Sequence, residues 1–178
     1  IKKLPELYRK EIYRQGQLSG LKLDSRADSS LADNYIASNH YSSRSGQEID
    51  SIVLHTCEGS GTGCVNHLQN NTSSVSAHYV VLESGDITQM VQERYRAHHV
   101  RCCNSNTIGI EHGGYSHRNI WTEAQLQASF ALICDIAKRN NLPIDNAHIQ
   151  SHAELDPTRR TDPGPFYPWD RLFDEVSA

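Results

Sequence analysis

One short apolar run limits the folds that this chain can adopt. Ile52, Val53 and Leu54 follow one another in DSIVLHT. A strand buried on both faces has such a continuous run, whereas a strand with one face in water alternates apolar and polar residues. The run therefore predicts a buried strand in a covered sheet. Further strands are predicted at residues 79–82, 87–91, 107–112 and 147–152.

Two segments have the pattern of helices. TEAQLQASFALICDIAKRNN has an apolar stripe at helical spacing, and Thr122 with Gln125 fits a capping box at its start. A last helix is predicted to begin at residue 168 or 169 and to end at 176. Strands interleaved with helices predict an α/β (α+β) fold with a central mixed β-sheet flanked by helices.

The first 48 residues have a different composition from the rest. LPELYRKEIYRQGQ predicts a helix with Pro5 in its first turn, and residues 16–48 are rich in serine, aspartate and asparagine. We therefore divide the chain into an N-terminal helix and irregular arm packing on the domain, residues 1–48, and a catalytic domain, residues 49–178. A chain of 178 residues is long enough for one domain with a core.

The charge balance argues against two classes of partner. The 17 basic and 21 acidic residues give a net charge of -4, which differs from the basic footprint of a nucleic-acid-binding protein. No apolar run approaches the roughly 18 residues that suggest a membrane span. We expect a monomer that neither binds nucleic acid nor spans a membrane.

Five cysteines leave several pairings open. Cys134 is expected to be a buried thiol in the long helix, and a Cys57–Cys64 bridge would close a small loop. Cys102 and Cys103 are expected either to find distant partners or to stay free. No pair has the CxxC spacing of a metal site.

The position of two histidines distinguishes them from the other eight. His55 and His152 each end a short predicted apolar strand, where side chains leave a sheet and face a cleft. With Asp162 they form the kind of three-residue set that holds a catalytic zinc and leaves a fourth position for water. Surface or locally bonded imidazoles are the simpler interpretation of four others: His40, His67, His117 and His148.

Five segments taken together resemble a known family. SIVLHTCEGS, VSAHYVVLESGDITQMV, AHH, NTIGIEHGG and SHAELDPTRRTDPGP occur in the order and spacing of the zinc-dependent N-acetylmuramoyl-L-alanine amidases of the amidase-2 type, which include the peptidoglycan recognition proteins. The resemblance covers about residues 50–176. It implies that His55, His152 and Asp162 bind one Zn²⁺ per chain and that Glu111 acts as general base on the metal-bound water.

The resemblance also has departures. Arg160 stands where the family has a lysine that stabilises the oxyanion, so we expect a catalytic role with a different reach. His98 stands where the family has tryptophan. The resemblance implies substrate contacts by four residues: His78, Tyr79, His99 and Asn106. For His78, a buried structural histidine is an equally weighted interpretation.

The implied activity is hydrolysis of peptidoglycan, at the amide between the lactyl group of N-acetylmuramic acid and the L-alanine of the stem peptide. The substrate would be peptidoglycan or a muropeptide. A non-catalytic peptidoglycan-binding module on the same fold is the alternative. We expect an exported protein, because the substrate is a wall component, disulfides are available and Ile1 is not a methionine.

Overall fold

A mixed sheet lies at the centre of the protein, as described by a computed structural model for residues 26–176. Eight strands are present there: β1 (Asn34–Tyr35), β2 (Tyr41–Ser43), β3 (Ser51–Thr56), β4 (Tyr79–Val81), β5 (Ile87–Gln89), β6 (Tyr95–Ala97), β7 (Thr107–His112) and β8 (Ile149–Ser151). Six of them form the central sheet in the order β1-β5-β4-β7-β3-β8. Only the β4–β5 pair in that sheet is antiparallel. The predicted fold class is confirmed.

The pairing of β3 with β7 determines which side chains share a face. His55 lies opposite Glu111, Val53 opposite Gly109 and Ser51 opposite Thr107. Because side chains alternate along a strand, these residues point to one face and the intervening apolar residues to the other. All six residues of β3 are buried, as the continuous run predicted.

The apolar face of the sheet packs against two helices, α2 (Glu123–Arg139) and α4 (Trp169–Val176). The two other helices of the described residues are α1 (Gly61–Gln69) and α3 (His152–Leu155). One buried cluster joins this face to the helices; it includes Ile52, Leu54, Ile108, Ile110, Phe130, Ile133 and Leu172. Both helices predicted after residue 48 are present in their predicted segments.

Two details of the predicted helix starts need correction. Thr122 caps α2 by accepting from the Gln125 N–H, but the Gln125 side chain donates to the carbonyls of Val81 and Gly113 and does not complete a capping box. The full capping box lies at α3, between Ser151 and Glu154. The last strand therefore ends at Ser151, and His152 begins a helix where we predicted the end of a strand.

Helix α1 was not predicted. Two glycines in its first turn weaken the helical pattern, since glycine is a poor helix former. Its stability comes from the Ser60 cap on the Gly63 N–H and from Val65 and Leu68, which pack with Val80 and Met90 on the second face of the sheet.

The cysteine pairings differ from expectation at one place. Cys57 and Cys64 form the disulfide that was considered, and it ties α1 to the end of β3. Cys102 and Cys103 are joined to each other, so the prediction of distant partners or free thiols was wrong. It assumed the usual Cα separation in disulfides, which is longer than that of neighbouring residues. Cys134 is free and half-buried, and burial raises the pKa of its thiol to about 11.

The N-terminal arm is partly described. The predicted first helix lies outside the described residues. Within residues 26–48, β1 extends the central sheet and β2 pairs antiparallel with β6. The division at residue 48 stays a prediction. In the described range, no helix combines the length and apolar character that crossing a bilayer requires.

A buried carboxylate joins the sheet to α2. Glu93 accepts two hydrogen bonds from Arg139 (2.6 and 2.8 Å) and one from the Tyr79 hydroxyl (2.6 Å). Its main-chain carbonyl accepts from Arg44 Nε at 2.7 Å. The Glu93 side chain is only 7% exposed, so its charge depends on these partners.

Replacing Glu93 with glutamine should lower the free energy of unfolding by about 2–3 kcal/mol at pH 7, because buried donors lose a charged acceptor. Burial alone would raise the pKa of Glu93, but Arg139, Tyr79 and Asn140 outweigh it and lower the pKa. A lowered pKa stabilises the fold above the unfolded-state value, and the benefit is lost as the pH falls through the folded-state value. In urea unfolding, the difference between wild type and variant should therefore shrink below about pH 4.

Glu123→Gln provides a matched control. Glu123 makes the same two-point contact with Arg171, at 2.5 and 2.8 Å, but its side chain is 65% exposed. Exposed pairs contribute about 0.2–1 kcal/mol. Equal losses from the two variants would contradict a special contribution from the buried pair.

Candidate metal centre

Three side chains from separate parts of the chain meet at the carboxyl end of the central strands. His55 is on β3, His152 begins α3, and Asp162 lies in the loop after it. The distance between the two Nδ1 atoms is 2.9 Å, and Asp162 Oδ2 lies 3.2 Å from each. All three residues are buried. The structure thus brings the three predicted ligands together.

The spacing of these donor atoms fits a zinc ion. Zinc binds nitrogen and oxygen at about 2.0–2.2 Å with tetrahedral geometry, which separates neighbouring donors by about 3.3 Å. The edges of 2.9, 3.2 and 3.2 Å form a triangle close to that size. Two imidazole nitrogens and a carboxylate are also donors that zinc accepts. Among the described residues, this is the one group of three free donors; a second candidate group includes the sulfurs of the Cys57–Cys64 disulfide.

The local field favours an ionised Asp162 and a neutral His55 imidazole, the forms in which these groups bind a metal. Burial by itself would raise the pKa of Asp162, but the contacts of its Oδ2 atom with the Nδ1 atoms of His152 and His55, both at 3.2 Å, hold that pKa well below its usual range. Burial lowers the pKa of His55, and this effect exceeds the opposing attraction of Asp162.

Glu111 lies beside these donors without a partner of its own. Its strand neighbour across the β3–β7 pairing is His55. Its Oε2 atom is buried and has no hydrogen-bond partner in the described part of the chain. One of its carboxylate oxygens lies within 4.8 Å of both sulfurs of the Cys57–Cys64 disulfide. Burial, and secondarily the Asp162 charge, raise the pKa of Glu111 to about 8. A cation among the three donors would favour its ionised form.

Arg160 is exposed at the rim of the centre. Its side chain forms no hydrogen bond or ion pair within residues 26–176, yet its charge acts on His55 and Glu111. The neighbouring Arg159 has a different role, since it donates to Asp156 at 2.8 Å and anchors the loop.

Two of the predicted substrate contacts lie inside the protein. His78 and Tyr79 are fully buried. His78 accepts from the Gly109 N–H through Nδ1 and donates through Nε2 to the Tyr95 carbonyl, while the Tyr79 hydroxyl donates to Glu93. Both side chains are thus turned inward and bonded to protein groups. For His78, the structural interpretation is the one that fits.

The other two predicted substrate contacts, His99 and Asn106, lie in different places. His99 adjoins the centre: its Nδ1 lies 3.0 Å from His55 Nε2. Asn106 precedes β7, at the end opposite to Glu111, and donates to Asp50 at 2.8 Å. Asn106 therefore lies at the other edge of the sheet and does not reach the centre.

Sequence reasoning missed two residues that support the site. Arg44 is buried and donates to the carbonyls of Glu93, Ser105 and Thr107. His112 is fully buried and donates through Nδ1 to the His55 carbonyl at 2.9 Å. Arg44 had no local signal, since its partners are distant in sequence. For His112 a signal existed: the predicted strand 107–112 places its imidazole on the same face as the apolar residues Ile108 and Ile110.

A family model for N-acetylmuramoyl-L-alanine amidase, Amidase_2, matches residues 45–165. N-acetylmuramoyl-L-alanine amidase A of Achromobacter lyticus is 33% identical over 164 residues, which are 82% of this chain and 92% of that protein.

Solved structures agree with these sequence matches. A selenomethionine derivative of AmpD has a TM-score of 0.69 and 25% identity, covering 88% of this chain and 100% of that one. AmiD of Escherichia coli, solved with anhydro-N-acetylmuramic acid-L-Ala-D-γ-Glu-L-Lys, has a TM-score of 0.65 and 25% identity. The match covers 90% of this chain and 65% of AmiD.

Removing a donor should remove the metal. His55→Ala and Asp162→Ala should each abolish stoichiometric zinc binding, because two donors hold zinc far less tightly than three. Glu111→Ala should keep one zinc per chain. Isothermal titration calorimetry and the zinc content after dialysis measure both outcomes. His148→Ala is the control, since this imidazole contacts Asp145 at the surface. Wild-type affinity in Asp162→Ala would exclude Asp162 as a ligand.

Proposed function

Because the chain belongs to the amidase-2 family of N-acetylmuramoyl-L-alanine amidases, we propose that it is a zinc-dependent peptidoglycan amidase. It hydrolyses the amide between the lactyl group of N-acetylmuramic acid and the L-alanine of the stem peptide. The main support is the triangle of donors from His55, His152 and Asp162, with the unpartnered Glu111 carboxylate beside it.

One zinc ion per chain would be held by His55, His152 and Asp162. When bound at such a site, zinc polarises a carbonyl oxygen and lowers the pKa of water to about 7. Three protein donors are the number that catalytic zinc sites commonly use, and such a set would keep a further position for water or substrate.

Glu111 acts as general base and then as general acid. Its free Oε2 atom accepts a proton from the water whose oxygen bonds to the amide carbon. As the C–N bond breaks, the same carboxyl group returns that proton to the leaving nitrogen of L-alanine. Burial beside the disulfide supports this exchange, since it raises the proton affinity of the carboxylate towards that of the groups it must exchange with.

Arg160 stabilises the negative charge that develops on the carbonyl oxygen. Its side chain is exposed and has no partner in the described residues, so it is free to reach a bound substrate. A guanidinium keeps the positive charge of the family's lysine but places several donors in a plane. Stabilising an oxyanion is commonly a large part of catalysis in acyl transfer.

We propose a muropeptide or peptidoglycan substrate and a location outside the cytoplasm. AmiD, whose match covers 90% of this chain and 65% of AmiD, was solved with a muramyl peptide. The Cys57–Cys64 and Cys102–Cys103 disulfides support export, because such bonds persist in oxidising compartments.

The zinc-loaded protein should release peptides with N-terminal L-alanine from purified peptidoglycan. Glu111→Gln should retain zinc and lower kcat by about 10²–10⁴-fold, because it removes the group that transfers the proton. End-group labelling of the soluble products and the zinc content measure the two effects. Peptidoglycan binding by the wild type without any release would favour the non-catalytic module. Full activity in Glu111→Gln would exclude the proposed base.

Substitutions at Arg160 should separate charge from reach. Arg160→Ala should lower kcat by about 10²–10³-fold with a smaller change in KM, because the lost interaction belongs to the transition state. Arg160→Lys should restore most of the rate. Arg159→Ala is the neighbouring control, as its guanidinium is bound to Asp156. Similar rates for Arg160→Ala and the wild type would remove Arg160 from the mechanism.

A further inference from the structure

The Nε2 atom of His55 points away from the metal centre and has its own partner. His55 places Nδ1 in the donor triangle and Nε2 3.0 Å from His99 Nδ1. A neutral imidazole has one N–H and one bare nitrogen. For Nδ1 to bind a metal, the proton of His55 must therefore be on Nε2, and His99 Nδ1 must accept it in a hydrogen bond.

A threonine on the far side of His99 determines the direction of that hydrogen bond. The Thr107 hydroxyl donates to the Cys103 carbonyl at 2.9 Å, and this carbonyl can only accept. Because the Thr107 hydroxyl has one proton and donates it to Cys103, its oxygen accepts from His99 Nε2, which lies 3.0 Å away. His99 then has a bare Nδ1, which accepts from His55.

We propose that Thr107 and His99 are positioning residues that select the tautomer of His55 in which Nδ1 is free to bind the metal. The relay runs from His55 Nε2–H to His99 Nδ1, and from His99 Nε2–H to the Thr107 hydroxyl, ending at the Cys103 carbonyl. This inference rests on the proposed zinc site and deepens it, because it concerns the protein before any metal arrives.

The surroundings of His99 are built to hold its ring. At Gly109 a Cβ atom would lie 2.5 Å from His99 Cγ and Nδ1, so the absence of a side chain there leaves room for the imidazole. The main-chain N–H of His99 donates to Asn104 Oδ1 at 3.0 Å, which holds the backbone from which the ring projects. The Arg44 guanidinium donates to the carbonyls of Ser105 and Thr107, which end this loop and begin β7. The relay therefore lies in an ordered frame.

The two imidazoles of the centre differ in this respect. His152 Nε2 is buried and has no hydrogen-bond partner among the described residues. Its Nδ1 instead lies 3.2 Å from Asp162 Oδ2 and 2.9 Å from His55 Nδ1, and in the metal-free protein these acceptors hold the His152 proton on Nδ1, whereas the relay holds the proton of His55 on Nε2. The relay gives the centre one pre-oriented nitrogen ligand, and partners of this kind typically contribute about 10–100-fold to metal affinity.

Thr107→Val tests the relay, because valine keeps the shape and removes the hydroxyl. It should weaken zinc binding by about 10–100-fold in competition with a chromophoric chelator. Thr107→Ser should recover most of the affinity. Thr88→Val is the matched control, as Thr88 is a buried threonine of the same sheet outside the relay, and it should bind zinc like the wild type.

Long-range ¹H–¹⁵N correlation spectra of the metal-free protein read the tautomer directly. Wild-type His55 should carry its proton on Nε2, and Thr107→Val should shift population towards the Nδ1–H form. An Nδ1–H tautomer in the wild type would overturn the relay, and this measurement needs no variant to fold. Unchanged affinity and tautomer in Thr107→Val would also overturn it. A wild type that binds no zinc would instead overturn the proposed function, while the spectra still test the relay.

Discussion

Parallel pairing of β3 with β7 on one side and β8 on the other is the constraint on which the site depends. His55 lies opposite Glu111, and Leu54 lies opposite Ser151, the residue before His152. The carboxyl ends of parallel strands meet at one edge, so His55, Glu111 and His152 arrive there together. The loop then brings back Asp162, whose carbonyl accepts from the Ala153 N–H at 3.0 Å.

The two faces of the sheet are built on different physical principles. One face is apolar and buried under α2 and α4. The other presents a group of polar side chains that satisfy one another, including His55, His99 and Thr107. Burial lowers the pKa of His78 to about 4 and holds the pKa of His99 well below its usual value. Histidines with such pKa values stay neutral near pH 7, so the polar network stays free of the repulsion that several imidazolium ions would create.

Glu111 and Arg160 face the centre from contrasting environments. Glu111 is held by a strand, next to a disulfide, with a buried oxygen that has no partner. Arg160 lies on an exposed loop and is unpaired within the described residues. A group that exchanges protons benefits from burial, because its pKa moves towards the working pH. A group that must reach a substrate benefits from exposure. The geometry thus matches the two roles proposed.

The sequence by itself determined the covered sheet, the bounds of β7, the two helices on the apolar face and the three donors, because apolar periodicity and motif order report local structure directly. It did not predict α1, whose glycines hide its pattern, and it left open whether His78 is buried, since adjacency in a motif does not specify a face. Only the tertiary structure decided that Arg44 holds the loop and that Thr107 reaches His55 through His99. Arg44 binds carbonyls 49–63 residues away, and such contacts exist only once strand register brings distant segments together.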